Sequence, residues 1–309
     1  MGVKESKYIW LSGELVPWKD AKVHVLTHAL HYGSAVFEGI RAYNTKNKGT
    51  AVFRLRDHVR RLIDSARIYR MEVQYSIEEI MEIIKEVIRV NELKECYIRP
   101  LIFRGYGDMG VNPLNNPVEM MIAAWEWGEY LGEGALENGV DVMISSWIRM
   151  APNTFPALSK ATANYANAQL IKMESLEYGF IEGIALTVNG LVAEGSAANV
   201  FAVRDGVIYT PPFYESILPG ITRDSVIKIA RKLGYEVVET PMPREFLYIA
   251  DEVFFVGTAS EVTPIRSIDK ITIGKGKIGP ITQKIQQEFF AIVRGEKEDE
   301  FGWLTPVYE

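Results

Sequence analysis

In the stretch PALSKATANYANAQL, Pro156 to Leu170, one lysine stands among small and uncharged residues, and Lys160 is the only charged side chain between Arg149 and Lys172. A hydrated lysine keeps its proton at neutral pH, whereas one that loses hydration loses part of its pKa. Deprotonated, the amine attacks carbonyl carbon and forms Schiff bases. Taken by itself the window also reads as an exposed lysine at a helix start, because lysines are rarely buried. The chemistry therefore needs partners elsewhere in the chain.

A Schiff-base lysine alone suits an aldolase, but a pyridoxal phosphate enzyme needs two further parts. One is an acid that keeps the pyridine nitrogen protonated; the other is an anion site for the phosphate. Glu194, in NGLVAEGSAANVF, sits between two strand signals beside Gly195 and Ser196, where a carboxylate can project from a turn. In LPGITRD, Gly220, Ile221 and Thr222 start a helix whose first backbone N–H groups and positive dipole end suit a phosphate. Each has a plainer alternative: Glu194 as a turn carboxylate, and Thr222 as an N-cap.

The elements that must position these residues divide into two kinds. YIWLSGELV reads as a hairpin, and RDHVRRLIDSARIYR repeats apolar residues at Val59, Leu62, Ile63 and Ala66 with a helical period. SIEEIMEIIKEVIRV carries a capping box, Ser76 with Glu79, and a stripe of Ile80, Ile84, Val87 and Ile88. CYIRPLIF and VEMMIAAWEW predict strands on either side of the Gly/Pro/Asn-rich loop RGYGDMGVNPLNNP, and WGEYLGEGALENG reads as a linker. Beyond it, GVDVMISSW, GIALTV, NVFAVRDGVIY with its Asp205-Gly206 turn, and DEVFFVG predict short strands. Few helices interrupt them: TRDSVIKIARKLG, from Thr222 as N-cap to Gly234 with Val226, Ile229, Ala230 and Leu233 facing inward, and ITQKIQQEFFAIV. The expected fold class is α+β: a smaller α/β domain over 1–125, an interdomain linker over 126–137, and a larger mostly β domain with a few helices over 138–309.

Two motifs suggest other chemistry. GYGDMG satisfies G-x-G-x-x-G after a strand, yet the prolines of VNPLNNP forbid the helix that a dinucleotide site requires, so a loop is expected. His24, His28 and His31 would share one face of a helix and suit a metal, but no acidic residue follows until Glu38, so packed and hydrogen-bonded histidines are the expected reading and no metal is assigned.

A net charge of -6 without a long basic run leaves no footprint for nucleic acid. No apolar run has the length of a membrane span, and MGVKESKYIW lacks a signal-peptide core, so no membrane association is expected. MGVKES does match the myristoylation pattern, a short one that recurs by chance. The single cysteine, Cys96, excludes an internal disulfide framework and fits a cytoplasmic setting.

Taken together, HALHYGSAVFEGIRAY, YIRPLIF, SSWIRMAPNTFPALSKATANY, EGSAANVF, TPPF, LPGITRD and GTASEVTPIRS resemble the branched-chain amino acid aminotransferases, of the fold type IV class of pyridoxal phosphate enzymes. The motifs run in matching order from about Tyr8 to Trp303. The resemblance implies pyridoxal 5′-phosphate as cofactor, with Lys160 as its Schiff-base lysine and proton shuttle and Glu194 as partner of the pyridine nitrogen. It makes Arg61 the phosphate arginine, although helical spacing does not separate it from Arg60. Ile221, Thr222 and Thr258 would complete the phosphate cradle, and Tyr165 would contact the ring oxygen. Tyr97 and the backbone of Thr258 and Ala259 would bind the α-carboxylate. Phe37, Tyr32, Trp127 and Tyr130 would line the side-chain pocket, with Met109 and Val111 supplied by a neighbouring subunit. A homodimer is then the minimum assembly, with a hexamer left open.

The implied reaction moves the amino group of L-leucine, L-isoleucine or L-valine to 2-oxoglutarate, giving branched-chain 2-oxo acids and L-glutamate. One pocket must accept both an isobutyl group and a carboxylate, which apolar walls alone cannot do. Arg99, with Tyr32 and Tyr130, can grip the carboxylate; its plainer alternative is a cross-strand ion pair. D-amino acid aminotransferases and aminodeoxychorismate lyase share the lysine, glutamate and phosphate site. Tyr97 with Arg99, FEGIR and GTAS match the L-specific branched-chain type.

Overall fold

The computed structural model describes residues 3–127, 131–132 and 134–308 of the 309-residue chain. The chain begins with β1 (Tyr8–Leu11), β2 (Glu14–Pro17), α1 (His28–Tyr32), β3 (Ala35–Phe37), β4 (Ile40–Thr45), β5 (Gly49–Phe53), α2 (Leu55–Ile68), α3 (Ile77–Val90), β6 (Cys96–Arg104) and β7 (Val118–Trp125). It continues through α4 (Ala135–Asn138), β8 (Val140–Ile144), α5 (Asn164–Glu177), β9 (Glu182–Leu186), β10 (Val192–Gly195), β11 (Asn199–Arg204), β12 (Val207–Thr210) and α6 (Ile221–Lys232). The remainder is β13 (Val237–Glu239), α7 (Arg244–Tyr248), β14 (Glu252–Gly257), β15 (Glu261–Ile268), β16 (Ile271–Thr272), α8 (Pro280–Val293) and β17 (Leu304–Pro306).

Two compact units result, and the division is not simply N-terminal and C-terminal. The first holds the described residues of 1–128 together with 159–163 and 291–309; the second holds those of 129–158 and 164–290. The five-residue piece that joins the first unit contains Lys160.

The first unit is an antiparallel sheet in the order β17-β5-β4-β6-β7-β1-β2, with β3 paired to β6. Helices α2 and α3 bury the stripes that their periods predict, except that Ile63 is only partly buried. Val59, Leu62, Ala66, Ile80, Ile84, Val87 and Ile88 are all fully buried. Each large aliphatic side chain contributes roughly 1.5–3 kcal/mol by burial. The capping box is present: Ser76 Oγ accepts from the Glu79 N–H at 3.2 Å, and the Glu79 carboxylate accepts from the Ser76 N–H at 2.7 Å. This packing fixes the roll of α2 and so decides where its polar residues His58, Arg61 and Ser65 point. They lie at i, i+3 and i+7, one face of the helix.

In the second unit the strands run β10-β9-β8-β15-β14-β11-β12-β13, with β16 on β15, and a further β10–β11 pairing closes part of this path into a ring. The β11–β12 hairpin turns at Asp205-Gly206, both with positive φ (51° and 81°), as the motif predicts.

Several local expectations change. Thr222 is not the N-cap of its helix: Gly220 holds that position in extended backbone and α6 starts at Ile221. The linker stretch contains the short helix α4. A helix does follow Lys160, but α5 starts at Asn164 and its extent could not be read, because NYANAQLIKMESLE has no apolar stripe. Of the three histidines, His24 precedes α1 rather than lying on it.

Candidate active site

Within the first unit, residues 160–162 form a short strand-like piece against β3. The Phe37 N–H donates to the Lys160 carbonyl (3.0 Å), the Thr162 N–H donates to the Ala35 carbonyl (2.9 Å), and Val36 bridges Ala161. The Lys160 N–H donates to Ser65 Oγ of α2 at 3.0 Å. The backbone of the lysine is thus tied to both the sheet and a helix, and its Nζ lies 4.8 Å from the centroid of the Phe37 ring.

Next to Phe37, at the junction of β3 and β4, Glu38 is fully buried. Its carboxylate accepts from Arg61 twice, from Nε at 2.6 Å and Nη2 at 2.9 Å, and from His58 Nδ1 at 2.8 Å. Burial pushes the Glu38 carboxyl up, but the Arg61 charge and the hydrogen bonds outweigh it and hold Glu38 well below the usual carboxylate range. Burial also lowers His58, more than Glu38 raises it, so His58 is neutral at pH 7 and its Nδ1–H donates. Lys160 is lowered to about 8, first by desolvation and further by Arg61 and Arg99, against the opposing pull of Glu38 and Tyr97. As a residue it keeps partial solvent exposure. Uncharged sequence neighbours marked the lysine, yet the groups that tune it come from β6, α2 and the β3–β4 junction.

Tyr97 and Arg99 lie two apart on β6 and therefore on one face, the face that Phe37 joins through its pairing opposite Leu101. Arg99 Nη2 donates to the Tyr97 hydroxyl at 3.0 Å, and the guanidinium carbon lies 4.7 Å from the Phe37 ring and 5.2 Å from the Tyr97 ring. Arg99 faces Ala123 across the strands, and among the described residues it has no cross-strand ion pair and its buried Nε has no hydrogen-bond partner. Tyr97 stacks on Trp127 at 4.6 Å between ring centroids. A Cβ on Gly39 would fall 2.0 Å from the Tyr97 hydroxyl, so only glycine admits this close approach.

The first unit therefore brings together Lys160, Arg61, Phe37, Tyr97, Arg99 and Trp127. Arg60 turns the other way, with its side chain 76% exposed and 3.9 Å from Asp64. Tyr32, Met109 and Val111 are exposed, the last at 86%, and Tyr130 lies outside the described residues. The GYGDMG stretch is the loop between β6 and β7. His28 ties it down, with Nε2 2.8 Å from the Gly110 carbonyl and Nδ1 2.7 Å from Ser34 Oγ. His31 bonds the Val25 carbonyl and His24 the Leu26 N–H. No group of three potential ligands among the described residues is arranged to hold a metal.

In the second unit, a register shift between Val192 and Glu194 in the β10–β9 pairing re-aims Glu194. Arg149 Nη2 lies 2.8 Å from Glu194 Oε1, while Asn199 Nδ2 (3.1 Å) and the Leu218 N–H (3.2 Å) donate to Oε2. Asn199 also donates to the Leu218 carbonyl at 2.9 Å, joining the carboxylate to the turn before α6. There a Cβ on Gly220 would sit 2.1 Å from Asn199 Oδ1. Ile221 and Thr222 form the first turn of α6, whose leading N–H groups have no intrahelical acceptor. Thr258 and Ala259 lie in the β14–β15 turn, next to Ser260, whose buried Oγ has no partner among the described residues. Tyr165 is partly buried in the first turn of α5.

Sequence reasoning missed Glu38 and His58 in the first unit and Arg149 and Asn199 in the second. A signal existed for the first pair: His58, Arg61 and Ser65 make a polar line at helical spacing beside the apolar stripe of α2.

Residues 35–268 match the class IV amino-transferase family. The branched-chain-amino-acid aminotransferase of Salmonella typhimurium is 55% identical over 308 residues, covering 99% of each chain. The crystal structure of the Escherichia coli branched-chain amino acid aminotransferase superposes with a TM-score of 0.97 at 55% identity, covering 98% of this chain and 100% of that one. The branched-chain amino acid aminotransferase from Thermobaculum terrenum, solved in its PLP (holo) form, gives 0.92 at 36% identity, covering 98% and 99%. The family match and the likeness over the whole fold define a fold type IV aminotransferase. The chain belongs to the class IV amino-transferase family.

Proposed function

We propose that the protein is a branched-chain-amino-acid transaminase, which moves the amino group of L-leucine, L-isoleucine or L-valine to 2-oxoglutarate with pyridoxal 5′-phosphate as cofactor. The observation that carries this reading is Lys160, an amine lowered to about 8 beside Tyr97 and Arg99, in a chain 55% identical over its length to enzymes of that name.

The residues present fit the cofactor. Lys160 supplies the amine, and Glu194 is a carboxylate fixed from three sides. The start of α6 supplies N–H donors suited to a phosphate, and Ser260, two residues after Thr258, has a buried hydroxyl with no hydrogen-bond partner among the described residues. When bound, pyridoxal 5′-phosphate supplies an electron sink for the Cα–H bond and a carrier for the amino group. Lys160 Nζ would hold the cofactor, and its amine would be the base that takes and returns the Cα proton. Glu194 would keep a proton on the ring nitrogen, and Tyr165 would contact the ring oxygen. By the family resemblance, Arg61, Ile221, Thr222 and Thr258 are the residues that would hold the phosphate. Tyr97 with the backbone of Thr258 and Ala259 orients the α-carboxylate, while Phe37, Trp127, Tyr32 and Tyr130 take the side chain. Arg99 grips the distal carboxylate of glutamate.

We further propose a homodimer at minimum, in which exposed Met109 and Val111 serve the neighbouring subunit; their solvent exposure in the single chain supports this. A cytoplasmic location is in keeping with the single, buried, free Cys96, and no helix among the described residues is long and apolar enough to cross a membrane. The test is the absorbance spectrum of the purified protein, with L-leucine and with D-alanine. A visible band that L-leucine bleaches, D-alanine spares and Lys160→Ala abolishes is expected. Bleaching by D-alanine alone would point to a D-amino acid aminotransferase instead.

A further inference from the structure

The group that the proposed roles leave without a task is the buried pair Glu38 and His58. Glu38 is fully buried and His58 is 1% exposed, so both have given up hydration. A carboxylate with no solvent contact is costly unless its lone pairs are filled. Here they are filled from one direction by the Nε–Nη2 edge of Arg61 and from another by His58 Nδ1. Two parallel N–H···O bonds fix the plane of a guanidinium as well as its position. The His58 bond stops the carboxylate from rotating and carrying Arg61 with it. The backbone closes the frame, since the Glu38 N–H donates to the Pro100 carbonyl at 2.9 Å and so fastens this junction to β6.

We propose that Glu38, braced by His58, is a positioning residue: it sets the guanidinium plane of Arg61 beside Lys160 so that the remaining edge of the fork meets the cofactor phosphate. This rests on the assignment of Arg61 as the phosphate arginine. Neutralising Arg61 is not the main consequence of the pairing. Without Glu38 the Nε–Nη2 edge has no carboxylate to hold it in the protein interior, so the side chain turns toward other acceptors and the phosphate loses its oriented partner.

The experiment compares two ligands on the cofactor-free full-length chain by equilibrium dialysis: pyridoxamine 5′-phosphate and pyridoxamine. The dissociation constant of pyridoxamine divided by that of pyridoxamine 5′-phosphate isolates the phosphate contribution and needs no turnover. In Glu38→Gln the ratio is expected to fall by about tenfold to 100-fold, the range of a lost charge-assisted hydrogen bond. Pyridoxamine itself should bind within about threefold of wild type on the same scale. Glu38→Asp keeps the charge but cannot span His58 and Arg61 together, and should lose the ratio too. His58→Leu removes only the brace and should lower the ratio by about threefold, which keeps the test open if the Glu38 variants do not fold. An unchanged ratio in these variants overturns the proposal, as does an equal loss for both ligands, which marks a general structural role. Arg61→Ala separates the two layers: if it leaves the ratio intact, the phosphate assignment of Arg61 is what fails.

Discussion

The amine of Lys160 offers a quantitative test that needs neither cofactor nor substrate. Its pKa is lowered from 10.5 to about 8, desolvation being the largest cause. At pH 7 about one Lys160 amine in ten is then neutral, against roughly one in 3000 for an ordinary lysine, a ratio of about 300. Competitive trace acylation of the cofactor-free chain between pH 6 and pH 11, with a simple alkylamine as internal standard, reads this directly. Mass spectrometry of the Lys160 peptide should show a midpoint near 8. Folding stability must follow the same shift. The native state holds this proton less tightly than the unfolded state, so the penalty is fully present below about 8 and fades as pH rises toward 10.5. At about 1.4 kcal/mol per pKa unit, the penalty at neutral pH is on the order of 3 kcal/mol, an upper bound because Lys160 keeps some solvent contact. Lys160→Met should therefore raise Tm of the cofactor-free chain at pH 7, with the gain shrinking above pH 8. A labelling midpoint at or above 10, or a gain that does not change with pH, would refute the reasoning that desolvation activates this lysine.

Two further outcomes concern the roles assigned to charged residues. Arg99→Ala should impair the half-reaction with glutamate or 2-oxoglutarate far more than that with leucine. A desolvated carboxylate losing its partner costs about 3 to 5 kcal/mol while leucine loses only packing, so relative kcat/KM should change by roughly 10² or more. Single-turnover measurements check this, and equal losses would assign Arg99 to the fold or to the shared α-carboxylate site. Glu194→Gln should still bind cofactor yet lose most of its rate, because a neutral amide cannot keep the ring nitrogen protonated as a carboxylate does. Near wild-type turnover with cofactor bound would remove Glu194 from that role.

The sequence by itself determined the elements whose signals are local. The α3 stripe and its Ser76–Glu79 capping box, the β11–β12 turn at Asp205-Gly206 and the β6 face shared by Tyr97 and Arg99 all follow from period or turn chemistry over a few residues. Lys160 was legible for the same reason, since the absence of neighbouring charge is a local property. The start of α6 was misread by two residues: Gly220 is the cap, and Asn199 from β11 approaches it closely, a contact that the segment's own composition does not encode. The extent of helix α5 was illegible because it lacks a periodic stripe. Only the tertiary structure decided which charges meet. Glu38 finds Arg61 and His58 across more than a strand's length of chain, and Arg149 finds Glu194 from 45 positions away. Burying any one of these ions alone would be prohibitive, so each is tolerated only where packing of distant elements delivers its partner, and no pattern along the chain records that delivery.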